Sequence, residues 1–288
     1  LRPASHLGAD PGLLLIADPS LAPTVLEQVA PTLARGGVSL FSGTEDASGP
    51  SSAVRRRLVL YDGKLLPSHA DLLRRDPPAL LLATREPESG PTEWEAQLLG
   101  AVLRGGSLVP PGLAVARQKL RRMKDVQHAS DAASMVVQEA GGSKVASQLA
   151  ADVLHELAVN ALLDAPVDAQ GQAKYAHRRT EVHEVDAGDA CELGLAVDGS
   201  RIYLEAVDRF GRLTTGPFAR ALDSYGGRVQ VNSEGGGAGL GLRRMIEHSD
   251  VIAVRVLRGR ESRVLCAVDL GDARRRAGFP KSLLFCTE

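Results

Sequence analysis

Three stretches of the sequence carry side chains able to do chemistry. In "LHELAVNALLDAP" (154–166), Glu156, Asn160 and Asp164 recur every four residues, so on a helix they form one polar line. Measured from Val153, that line lies between roughly −60° and +20°, and Ala150, Leu154, Leu157, Ala158 and Ala161 fill an apolar arc beside it. A carboxylate and a carboxamide at the border of a core suit a half-buried ligand pocket, although solvent-facing polar residues would give the same pattern. "IYLEAVDRFG" places Asp208 just beyond a buried strand, where a carboxylate is a natural acceptor for an exocyclic amine; many strands simply end on a turn aspartate. "SEGGGAGLGLRRMIEHS" (233–249) has five glycines between Gly235 and Gly241 and opens into an amphipathic helix. Free backbone N–H groups at a positive helix end are a means of holding phosphates. It is neither a Walker loop nor a dinucleotide fingerprint, since no Gly-Lys-Ser/Thr follows and no strand leads tightly into it.

The elements that must position these residues change character along the chain. "LLLIAD", "VSLF", "RLVLYD" and "ALLLAT" are short apolar strands alternating with helices at "SLAPTVLEQVAPTLARGG" and "LLPSHADLLRRD", which predicts a parallel sheet covered on both faces. "RGGSLVPPG" (104–112) punctuates the chain, and a basic helix, "LAVARQKLRRMKD", is expected after it. Ser130–Asp131 can cap a helix reaching Gly141–Gly142, and Ser143 or Lys144 starts the longer helix that holds Glu156 and Asn160. Two hairpins follow, "CELGLAV-DGS-RIYLEAVD" and "VIAVRVL-RGRES-RVLCAVDL". The division expected is an α/β parallel-sheet domain over residues 1–112, a linker helix over 113–129, and an α+β domain over 130–288 with helices on one face of a mixed sheet.

Composition narrows the function classes. With 288 residues, 44% hydrophobic and 24% charged, the chain has an ordinary globular balance. A net charge of −1 and 3% aromatic residues argue against a nucleic-acid or membrane-surface protein. No leader pattern and no apolar run near a membrane span is read, which predicts a cytoplasmic protein. Cys191, Cys266 and Cys286 lack CxxC spacing and predict reduced thiols without a zinc cluster, with Cys191 and Cys266 in the core.

Taken in order, an E-x-x-x-N-A helix, an aspartate after a hairpin strand and G-x-G-L-G-L opening a helix resemble the GHKL (histidine kinase-like) ATPase superfamily over roughly residues 130–270. The resemblance implies ATP and Mg²⁺ as cofactors. Asn160 would bind Mg²⁺, Glu156 would orient or deprotonate the attacking group, and Asp208 would recognise adenine. Gly237, Gly239 and Gly241 would form the hinge and phosphate-contacting part of the lid, with Leu240 and Leu242 anchoring the following helix in the core. The family's D-x-G-x-G box departs here, because Phe210 and Arg212 stand at the two glycine positions. Either Gly211 takes over one role through a shifted loop or the pocket is partly closed. Asp164 stands where kinases of this group often have His or Tyr.

Within that superfamily the single short helix before the Asn160 helix resembles the anti-sigma serine kinases. This implies a regulatory protein kinase acting on a partner such as a sigma factor, an anti-sigma antagonist or a two-component protein. A degenerate pseudo-kinase that switches protein contacts is one alternative, and an atypical histidine kinase using His128 or His155 is another. His155 lies beside Glu156 on the same helix and points about 100° away from it, toward solvent. In the N-terminal half, "LLLIADPSL", "LVLYDGKLLP", "LLLAT" and "GSLVPPG" resemble the signature segments of a response-regulator receiver domain. Asp18, Asp62 and Thr84 would form its pocket, while Ala17 and Pro110 replace an acid and the lysine, which implies a pseudo-receiver used for docking or dimerisation. Val159 and Leu163 lie off the apolar arc, so a cover is expected over them from the N-terminal domain or from a second subunit of a homodimer.

Overall fold

The computed structural model describes residues 13–19, 21–40, 56–85, 90–225, 238–271 and 279–288. In chain order the elements are β1 (Leu14–Ala17), α1 (Pro23–Arg35), β2 (Arg57–Tyr61), α2 (His69–Leu73), β3 (Leu80–Ala83), α3 (Glu93–Arg104), β4 (Ala116–Leu120), α4 (Met123–Glu139), α5 (Lys144–Val159), β5 (Cys191–Val197), β6 (Arg201–Asp208), α6 (Gly216–Asp223), α7 (Ala238–His248), β7 (Val251–Leu257), β8 (Glu261–Asp269) and β9 (Ser282–Thr287). The described residues thus form a mixed α/β protein with seven α-helices and one nine-stranded sheet, in the order β1-β2-β3-β9-β7-β8-β6-β5-β4.

Period-two alternation decides which face each strand residue serves. Val59, Tyr61, Leu81, Ile252, Val254, Leu204, Ala206 and Phe285 point to one core, with α2 and α4 to α7. Leu58, Leu60, Leu80, Leu82, Ala253, Tyr203 and Leu284 point to the other, with α1 and α3. Burial of each large aliphatic side chain contributes roughly 1.5–3 kcal/mol, so a slip of one residue would exchange both cores at prohibitive cost. Helix α1 shows the same logic at its own period: Pro23 opens it, Val25, Val29 and Leu33 are buried at i, i+4 and i+8, and Gly37, at φ +72°, ends it.

The strands β1, β2 and β3 are parallel, as the alternating pattern predicts. The expected strand at "VSLF" reduces to a single parallel bridge from Leu40 to Leu13. With that bridge, the first four apolar segments lie in the spatial order second, first, third, fourth, so chain direction across the sheet reverses between β1 and β2. The fourth signature segment, 106–112, is no strand. Its Leu108 and Val109 are buried against the α1–α3 side, and the place beside β3 belongs to β9, antiparallel. Strand β9 also runs parallel to β7, so the sheet continues across the boundary expected at 104–112.

The basic helix expected over 113–129 forms only from Met123 onward. Residues 116–120 form edge strand β4, antiparallel to β5, and only Leu120 of it is buried. Pairing overrides local helix propensity here because β5 would otherwise expose an open edge, and the charges of Arg117 and Lys119 suit an edge strand. Helix α4 begins at Met123 rather than near Asp131; Ser130 is buried within it and donates back to the Val126 carbonyl at 3.0 Å instead of capping. Ser143 does cap α5, accepting from the Ala146 N–H at 3.0 Å. All three cysteines are free and buried. No helix among the described residues is long and apolar enough to cross a membrane.

Candidate functional site

Helix α5 ends in a π-turn over Asn160–Asp164, closed by the Ala165 N–H donating to the Asn160 carbonyl at 3.0 Å. This wide turn directs Asn160, Ala161, Asp164 and Ala165 toward one cavity of about 670 Å³. Strand β6 delivers Asp208 to the same cavity, α6 contributes Phe218, and α7 contributes Leu242 and Met245. The volume falls within the range of small-molecule sites, which typically combine apolar walls with a few polar groups.

Asp208 is only 6% exposed. Its Oδ1 accepts the N–H groups of Phe210 at 2.8 Å and Gly211 at 3.2 Å, which folds the following turn around the carboxylate. Burial pushes the carboxyl above the usual range, and the N–H donors of Phe210 and Gly211 act against that rise. Gly211 adopts φ +59°, with the Leu257 carbonyl 2.0 Å from where a Cβ would stand. It is absent from the cavity wall and locks the turn against the β7–β8 hairpin. Arg212, in contrast, lines the cavity together with Leu213 and Thr214.

Asn160 donates from Nδ2 to the Met245 sulfur at 3.6 Å, and its carboxamide oxygen accepts no hydrogen bond among the described residues. That oxygen is a hard ligand on the cavity wall. The described residues hold no group of three His, Cys, Asp or Glu side chains able to bind a metal unaided. The site therefore fits Mg²⁺ only as part of a phosphate complex, in which phosphate and water oxygens complete the coordination. Asp164 pairs with Arg179, which also lines the cavity. Burial raises the Asp164 carboxyl most, Arg179 opposes the rise and Glu156 adds to it. Asp164 Oδ1 and Arg179 Nε are buried without a hydrogen-bond partner among the described residues.

Glu156 does not line the cavity. Its carboxylate lies against Gly241, where a Cβ would stand 2.2 Å from Oε2, and pairs loosely with Arg244 at 3.5 Å. A side chain at 241 would therefore displace the Glu156 carboxylate from its present position. Gly239 lies in the first turn of α7, and Gly237, with most of the glycine run, is outside the described residues. The expectation that Leu240 and Leu242 both anchor α7 fails for Leu240, which is 43% exposed, whereas Leu242 is buried. Two residues apart on a helix point about 200° from each other, so both could not face one core.

Other expected residues fall where the sheet sends them. Asp18 and Asp62 follow β1 and β2, at the point where strand order reverses. Both raise the His69 imidazole, whose pKa burial nevertheless lowers. Asp62 Oδ1 accepts the Lys64 N–H at 2.9 Å, and Oδ2 lies 3.5 Å from Lys64 Nζ. Thr84 is buried, with its hydroxyl donating to the Tyr61 carbonyl at 3.4 Å. Val159 and Leu163 are buried within the single chain, but the cover expected from the N-terminal domain or a second subunit is not what supplies it: α5 packs chiefly on α4, α7, β6 and β8. His155 is half-buried on α5 and His128 is exposed on α4.

The wall residues Ala176, His177 and Arg179 were not read from the sequence. They sit on an irregular segment held by a staple in which Tyr175 donates to Asp189 at 2.7 Å and Lys174 donates to Asp186 at 2.7 Å. The run "KYAHRR" was the available signal. No protein-family model matches the chain, and no curated protein matches it significantly.

Proposed function

We propose that the chain is a Mg-ATP-binding signalling protein of the GHKL type. The observation that carries this reading is the convergence of Asn160 from α5, Asp208 from β6 and the apolar Leu242 and Met245 from α7 on one cavity. Asp208 would accept the exocyclic amine of adenine at the buried end. Asn160, and the glycine run ahead of α7, would hold the phosphates and their Mg²⁺. Glu156 would act as the base of a regulatory protein kinase of anti-sigma type, with a sigma factor, antagonist or two-component protein as its partner. Asp18, Asp62 and Thr84 would belong to a pseudo-receiver half that docks such a partner or a second copy.

A second reading has its own support. Glu156 lies outside the cavity wall against Gly241 and Arg244, and Arg212 stands on the wall where a glycine would leave room. These features favour a pseudo-kinase in which nucleotide switches protein contacts without phosphoryl transfer. Calorimetric titration with ATP, with Mg²⁺ and then with EDTA, separates the possibilities. Micromolar, Mg-dependent binding is expected, with Asn160→Ala removing the metal dependence. Absence of binding up to about 1 mM would sink the nucleotide reading. Binding without transfer to any partner protein leaves the pseudo-kinase. Acid-labile phosphate lost on His128→Gln or His155→Gln would instead indicate the histidine kinase alternative.

A further inference from the structure

A second cavity, of about 560 Å³, adjoins the first and is built from both halves of the sheet. Arg56 and Arg75 reach it from around β2 and α2, Arg212 from the turn after β6, and Arg258 from the β7–β8 turn. Against these four arginines the lining holds one acidic residue, Asp76. Arg56 is partly engaged, donating to the Thr287 carbonyl at 3.5 Å and to the Cys286 sulfur. Arg75, Arg212 and Arg258 are exposed and form no ion pair among the described residues. Arg75 and Arg258 thus leave two unpaired charges beside one concavity, a repulsion that an anion offsets, while the Arg212 guanidinium stands 3.2 Å from where a Cβ of Gly171 would be. Thr214 and Thr215 add hydroxyl donors, and Thr215 stands at the N-terminus of α6, where the helix dipole favours negative charge.

We propose that this cavity is a binding site for a small phosphate-bearing molecule, separate from the cavity of Asn160 and Asp208. Several guanidinium groups around one concave space match the multiple oxygens of phosphate groups, each of which can be held by paired N–H bonds. A lone carboxylate would leave most of the donors unused. Arg212, Leu213 and Thr214 belong to both walls, so the two ligands would meet across one three-residue partition. The assignment does not depend on what occupies the first cavity.

Pyrophosphate titrated into the full chain at low ionic strength, followed by calorimetry and thermal shift, tests this. Saturable binding is expected, weakened roughly tenfold by Arg75→Gln or Arg258→Gln and about a hundredfold by both, with each loss corresponding to one charge-assisted contact. Asp76→Asn removes the opposing charge and is expected to tighten binding several-fold, an outcome that holds the test open should an arginine variant fold poorly. Full retention of pyrophosphate affinity in the double arginine variant would place the anion elsewhere and overturn the proposal. So would no binding at all, or binding of a single-stranded oligonucleotide but not of pyrophosphate.

Discussion

Asp208 allows stability and binding to be separated by one atom. In Asp208→Asn the carboxamide oxygen can still accept from Phe210 and Gly211, so the turn keeps both hydrogen bonds, while the buried charge is removed. Because burial raises the Asp208 carboxyl, the ionised form opposes folding. The ligand-free variant is therefore expected to be at least as stable as the natural protein at pH 7. Its affinity for an adenine nucleotide should fall by about 1.5–3 kcal/mol, the worth of a charge-assisted hydrogen bond. Asp208→Ala behaves differently, since it orphans two N–H donors at about 1–3 kcal/mol each. Phe210 is half-buried and water can reach its turn, so a total near 2–4 kcal/mol and a loss in Tm on the order of 10 °C are expected. The stability gap between Asp208→Asn and the natural protein also has a pH signature. A raised folded pKa means that the penalty is absent below the unfolded value of about 3.9 and is fully present above the folded value, so the gap should widen as pH rises between them. Urea unfolding across that range, beside nucleotide titration, measures both sides. A variant that loses stability and keeps full nucleotide affinity would falsify the assignment of Asp208 as a buried acceptor facing the ligand.

Two further outcomes concern the frame of the site. Gly211→Ala places a methyl group 2.0 Å from the Leu257 carbonyl at φ +59°, and a loss of at least ~2 kcal/mol is expected; an unchanged urea midpoint would show that the Asp208 turn does not rest on the β7–β8 hairpin. Glu95 is fully buried and accepts from Arg85, from Ser282 Oγ at 2.9 Å and from the Thr92 N–H at 3.2 Å. Burial alone would raise its carboxyl, but Arg85, Ser282 and Thr92 together hold it below the usual range. Its contribution is thus present above the unfolded value of about 4.3 and is lost as pH falls through the folded value. Glu95→Gln should cost about 3 kcal/mol at pH 7 by stranding Arg85, and an acid-unfolding curve of the same shape as that of the natural protein would refute the pairing.

What could be read from the sequence was what local periodicity encodes. The two hairpins and α5 were legible because alternation and the helical wheel constrain seven or more residues at once, and the wheel also identified Val159 and Leu163 as surfaces needing a cover. Strand β4 was not legible. "ARQKL" has no strand signal of its own, and its conformation comes from β5 and from Arg117 reaching Glu192 at 2.8 Å and the buried Glu205 at 3.0 Å. Strand β9 was missed because six residues near the chain's end gain their place only through β3 and β7, both distant in sequence. At the site, Glu156, Asn160 and Asp164 are evenly spaced, yet only the latter two line the cavity. The π-turn that begins at Asn160 depends on hydrogen-bond geometry that a residue pattern does not reveal.

Lys281, at the start of β9, shows why the two halves are better regarded as one mechanical unit. Its N–H donates to the Gly63 carbonyl at 3.0 Å, its own carbonyl accepts the Tyr61 hydroxyl, and its ammonium donates to the carbonyls of Glu247 at 2.9 Å and Ser249 at 2.8 Å. One buried residue thus joins the turn after Asp62 to the C-terminal end of α7, where a cation is also favoured by the helix dipole. The same helix presents Leu242 and Met245 to the first cavity and Gly241 to Glu156. The Asp62–Gly63 turn is therefore tied to the helix that lines the cavity through one residue, Lys281, rather than only through the long connection by way of β4.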